Sequence, residues 1–123
     1  MARVLLAEDE EAMRGLVTRA LQEDGHDVVA TADGAEALDV LQRDDGRFDL
    51  LLADIKMPVM DGIALALAAA RDFPELPVVL MTGYADQRER ASGIEALVRD
   101  IIVKPFTLAE FRTAIASALK GKS

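Results

Sequence analysis

The chain has 123 residues, about half of them apolar, with no cysteine, a single histidine (His26) and a formal net charge of −8. That length fits one compact domain with a real core, and the apolar share excludes a disordered tail. Disulfides, thiolate metal sites and imidazole clusters are excluded, and the acidic balance argues against autonomous nucleic-acid binding, which wants a basic face.

The first apolar run, Val4 to Ala7, is short and stops at Glu8-Asp9, as a buried strand would. The opening is too brief for a signal peptide, and no stretch approaches the roughly 18 apolar residues of a membrane helix. A soluble, cytoplasmic protein is expected. Met13, Leu16, Val17, Ala20 and Leu21 then form one helical stripe, closed by Gly25. Val28 to Ala30 reads as a second strand and Ala35 to Leu41 as a second helix. Asp44-Asp45-Gly46 reads as a loop. Leu50 to Ala53 has no polar face, which suggests a strand buried on both sides in a parallel sheet.

The segment Ile63 to Arg71 alternates in part like a strand, but its alanines and its length favour helix. Pro74 and Pro77 bracket a turn before a fourth strand, Val78 to Met81. A polar fourth helix is expected from about Asp86 into the nineties. Ile101 to Val103 gives a fifth strand, and Leu108, Phe111, Ile115 and Leu119 line a fifth helix. Five strands alternating with five helices predict an α/β fold, a doubly wound five-stranded parallel sheet flanked by helices. The whole of residues 1–123 is expected to be one domain.

Four polar sites follow four different strands: Glu8-Asp9, Asp54, Thr82 and Lys104. In an open α/β sheet, sites form beyond the carboxyl ends of the strands where the strand order reverses. With the flavodoxin-like order 2-1-3-4-5, that point lies between the first and third strands, so Asp9 and Asp54 converge. Singly, each residue has a plain structural reading: acids at a helix start, strand-end caps, a surface lysine. The conjunction at one end of one sheet argues for chemistry. Crowded acids need a cation, and an all-oxygen donor set selects a hard ion such as Mg2+. A divalent ion, an ammonium and a hydroxyl around a carboxylate suit phosphoryl transfer, with Asp54 as nucleophile and Thr82 and Lys104 on phosphoryl oxygens. Gly83 leaves room for the group to enter. A phosphatase with its nucleophile in Asp-x-Asp after the first strand does not fit Glu8-Asp9-Glu10, and a phosphate-binding loop does not fit acids at that place.

Together, Glu8-Asp9, the run Asp54-Ile-Lys-Met-Pro-Val-Met-Asp-Gly62, Thr82-Gly83 and Lys104-Pro105-Phe106 resemble the CheY-like receiver domain of response regulators, over nearly the whole chain. The resemblance implies that Asp54 accepts a phosphoryl group from a histidine kinase or phosphotransfer protein and signals to a downstream protein effector. Catalysis is then limited to the domain's own phosphorylation and dephosphorylation. The resemblance also implies Mg2+ ligands from Asp9, Asp54 and the Lys56 carbonyl, Glu8 acting through water, and a cis Lys104-Pro105 peptide. Lys56 and Tyr84 fall at positions that tune dephosphorylation in similar proteins. One departure stands out: Ile101 replaces the usual aromatic, so the family's threonine–aromatic switch is not expected in its usual form. Signalling is expected through the face of the fourth helix, fifth strand and fifth helix. With no output domain after the fifth helix, the chain resembles a stand-alone receiver, similar to the CpdR type; a piece of a larger regulator is the alternative.

Overall fold

The structure, a computed structural model, describes residues 2–83 and 92–120. The elements are β1 (Arg3–Ala7), α1 (Glu11–Glu23), β2 (Asp27–Thr31), α2 (Gly34–Arg43), β3 (Leu50–Asp54), α3 (Gly62–Asp72), β4 (Val78–Thr82), a 3₁₀ helix (Ser92–Leu97), β5 (Asp100–Val103) and α4 (Leu108–Lys120). All strand pairs are parallel, in the order β2-β1-β3-β4-β5. Both the fold class and the strand order are those the sequence predicts.

Alternation along the strands builds two cores. Leu5, Ala7, Leu51, Ala53, Val78 and Leu80 pack against α2 and α3. Their neighbours Val4, Leu6, Leu50, Leu52, Val79 and Met81 face the other way, onto Val17, Ala20 and Leu21 of α1 and Phe111, Ile115 and Ala118 of α4. Each fully buried leucine removes enough surface from water to contribute roughly 1.5–3 kcal/mol. The central strands β3 and β4 are buried at every position. That burial is why Leu50 to Ala53 shows no polar period.

Helix ends follow local chemistry. Asp33 and Asp61 cap α2 and α3, accepting bonds of 2.8 Å from the Glu36 and Ala64 N–H groups. Thr107 and Glu110 form a reciprocal capping box at the start of α4, with bonds of 3.0 and 2.7 Å. Gly25 follows α1 with φ +87°, a left-handed stop that glycine takes without strain.

The ambiguous Ile63 to Arg71 segment is helical, since its alanines fit a crowded face where Leu65, Ala66 and Ala69 are buried. The expected fourth helix needs correction. The described residues contain four α-helices, not five, and the fifth predicted helix is α4. Of the predicted Asp86 to Arg99 segment, residues 92–97 form a 3₁₀ helix; residues 86–91, like Tyr84, lie outside the described residues. Within residues 92–97, Gly93 disfavours a regular α-helix. No helix among the described residues is long and apolar enough to cross a membrane.

Candidate functional site

The strand order places the carboxyl ends of β1 and β3 side by side, and the register pairs Ala7 with Ala53 at their last shared step. The next residues out are Glu8 and Asp54. Glu8 is buried, Asp9 exposed and Asp54 only 7% exposed. One carboxylate oxygen from each of Glu8, Asp9 and Asp54 lies within 4.8 Å of the others. The sequence-predicted acids therefore do converge.

Lys104 follows β5, and its main-chain N–H donates to the Thr82 carbonyl at 2.7 Å, tying the ends of β4 and β5 together. Its ammonium donates to Asp54 Oδ2 at 2.9 Å and stands 3.5 Å from Glu8 Oε1. The Lys104–Pro105 peptide is cis. Thr82 is fully buried at the end of β4, one residue beyond Met81, the register partner of Asp54. Asp9, Met13, Asp54, Lys56, Gly83 and Lys104 help line a cleft of about 480 Å³. A cavity of about 520 Å³ at the opposite end of the sheet, beside Phe48 and Phe73, contains none of the predicted site residues.

The electrostatics show a site short of positive charge. Burial, reinforced by the like charge of Asp54, pushes the Glu8 carboxyl up to about 7; the Glu10 N–H and Lys104 pull the other way. Burial works against the ammonium of Lys104, but its bond to Asp54 and the surrounding carboxylates outweigh this and raise it. Glu8 Oε2 accepts from the Glu10 N–H at 3.1 Å, whereas buried Oε1 lacks a hydrogen bond. Lys104 approaches Oε1 at 3.5 Å, an ion-pair distance longer than an ordinary hydrogen bond. An orphaned buried carboxylate oxygen beside two further carboxylates suits a hard divalent cation, and these oxygen donors fit Mg2+.

The turn from β3 to α3 is shaped to present Asp54. Gly62 donates its N–H to the Ile55 carbonyl at 2.8 Å, and a Cβ there would stand 2.2 Å from the Asp54 carbonyl oxygen. Between them, the Met60 N–H donates to the Pro58 carbonyl at 2.7 Å across Val59, whose φ is +67°. That is a tight γ-turn with a β-branched residue in a conformation such residues rarely adopt. Sequence reading also missed Arg14, whose guanidinium donates to the Glu8 and Asp9 carbonyls. Its only sequence signal is a cation one helical turn beyond a row of acids.

A family model described as "Response regulator receiver domain" matches residues 4–116. The chain belongs to the response regulator receiver family. It is therefore a receiver domain of two-component signalling. This receiver is similar to the response regulator MprA of Mycobacterium leprae, 33% identical over 118 residues that make up 96% of this chain and 51% of that protein. It is equally similar to the transcriptional regulatory protein PrrA of Mycobacterium tuberculosis, 33% identical over 98% of this chain and 51% of that protein. The chain thus spans about half the length of the curated relatives it matches. Among solved structures it resembles the response regulator TrrA of Thermotoga maritima in complex with Mg(2+)-BeF, with TM-score 0.84 and 27% identity over 96% of this chain and 99% of that one. It also resembles NtrX of Brucella abortus, with TM-score 0.87 and 30% identity over 98% of this chain and 27% of that one.

Proposed function

We propose that Asp54 is the phosphoacceptor of this receiver and that Glu8, Asp9 and Asp54, with the main-chain carbonyl of Lys56, hold Mg2+ for the transfer. The observation that carries the proposal is the convergence of three carboxylates on one point, with Lys104 bonded to the most buried aspartate. TrrA, a similar protein, is known in complex with Mg(2+)-BeF, and that supports the same chemistry here.

The donor is a phosphohistidine on a kinase or phosphotransfer protein. A carboxylate oxygen of Asp54 bonds to phosphorus while the phosphorus–nitrogen bond breaks, and the electron pair of that bond leaves on the imidazole nitrogen. The bound ion supplies charge neutralisation at the phosphoryl oxygens. Lys104, already 2.9 Å from Asp54, moves its charge onto a phosphoryl oxygen, and the Thr82 hydroxyl serves another. Catalysis is limited to the domain's own phosphorylation and dephosphorylation. The signal passes to a protein effector through the face of the 3₁₀ helix, β5 and α4, each of which carries an exposed apolar side chain: Leu97, Val103 and Leu108.

The test is intact mass after incubation with acetyl phosphate and Mg2+. Wild type is expected to gain one phosphoryl group and Asp54→Asn none. Equal modification of Asp54→Asn removes Asp54 from the role.

A further inference from the structure

Glu8 and Asp9 meet Asp54 only because the chain turns sharply between β1 and α1. The Glu8 side of that turn has two ties: its N–H donates to the Thr31 carbonyl at 3.0 Å, and its side chain accepts from the Glu10 N–H at 3.1 Å. Asp9, by contrast, is exposed. Arg14, in the first turn of α1, reaches back over both residues. A single nitrogen of its half-buried guanidinium, Nη1, donates to the Glu8 carbonyl at 3.0 Å and to the Asp9 carbonyl at 3.4 Å.

Charge alone points to a different arrangement. Glu10 and Glu11 stand within about one helical turn of Arg14 in sequence, and Glu8 and Asp9 come just before them, yet no ion pair among the described residues joins Arg14 to any of these acids. A guanidinium laid on the carboxylates would occupy the oxygens a metal needs. One that grips the main-chain carbonyls pins the turn and leaves those oxygens free.

We propose that Arg14 is a positioning residue for metal binding: it clamps the two main-chain carbonyls of the acid-bearing turn so that Glu8 and Asp9 stay aimed at the ion. This rests on the acceptor-site reading above.

Arg14→Met tests it, because methionine keeps the stem and the helix propensity while losing the charge and the donors. The readout is magnesium affinity by calorimetric titration of the unphosphorylated protein, at a temperature well below each variant's unfolding midpoint in EDTA. The two effects of the substitution have opposite signs. Removing a positive charge beside a cation site tightens binding by electrostatics, whereas releasing the turn loosens it. Positioning predicts a loss of about tenfold, the lower end of what support for metal ligands is worth. Arg14→Lys, which keeps the charge and a donor, is expected to recover most of that loss. Affinity for Arg14→Met equal to or tighter than wild type overturns the proposal, as does an Arg14→Lys variant no better than Arg14→Met. If Asp9→Asn binds magnesium as wild type does, the acceptor-site reading itself fails. If Asp9→Asn is impaired and Arg14→Met is not, only the role of Arg14 falls.

Discussion

Glu8 shows what the site costs the fold when no metal is bound. Its carboxyl is raised from 4.5 to about 7, so the folded state holds a proton there more tightly than the unfolded state. A group raised in this way stabilises the fold fully below about 4.5, and that contribution disappears as pH rises through about 7. At about 1.4 kcal/mol per pKa unit, the loss is on the order of 3 kcal/mol, a sizeable part of a small domain's stability. Glu8→Gln keeps the shape and cannot ionise. In EDTA, its unfolding free energy is expected to stay flatter than wild type between pH 5 and 7, and to exceed it at pH 7. Urea titrations across that range check this, and parallel pH profiles for the two proteins would count against it.

At the scale of elements, the turn entering α3 sets propensity against packing. A glycine in the first turn of a helix ordinarily gains up to about 1 kcal/mol on replacement by alanine. At Gly62 the added Cβ would meet only main chain: Asp54 O at 2.2 Å, Asp54 C at 2.9 Å and Ile55 Cα at 3.0 Å. None of these can rotate away, so β3 or α3 must shift, at an overpacking cost of about 1–3 kcal/mol. Packing wins. Gly62→Ala is expected to be less stable than wild type by thermal unfolding and slower to phosphorylate, because the displaced backbone is that of Asp54. An unchanged or raised melting temperature would mean the helix start yields freely.

Under the proposed function, phosphorylation of Asp54 has a mechanical route out of the site at the scale of the whole molecule. Lys104 bridges Asp54 and, through its N–H, the Thr82 carbonyl, so a shift of the ammonium pulls on the junction of β4 and β5. The side chain of Ile101, three residues earlier, has no hydrogen-bonding group and packs half-buried against the core shared with α2 and α3. Repacking is therefore the available response, and the phosphoryl group drives it only by its differential affinity for the two arrangements. Hydrogen exchange with and without beryllofluoride is expected to change most over residues 92–106, beyond the site loops. A response confined to α1 and α2 would place the output elsewhere.

Sequence alone determined the alternation of five strands with helices, because burial period and helix stops are local properties of the chain. It also determined which polar residues end the strands, and so named Glu8, Asp9, Asp54, Thr82 and Lys104 before any geometry. It predicted a helix from about Asp86 into the nineties, and among the described residues of that segment 92–97, with Gly93 inside, form a 3₁₀ helix and not an α-helix. Only the tertiary structure decided that Glu8 is buried with one oxygen orphaned, since that follows from the strands stacked around it. Only it showed that Arg14 bonds to the Glu8 and Asp9 carbonyls and pairs with no carboxylate among the described residues. Gly62 likewise looks like a helix-weakening residue in one dimension. In three it is the place where α3 starts against the backbone of Asp54, because a non-local contact has no signature in local composition.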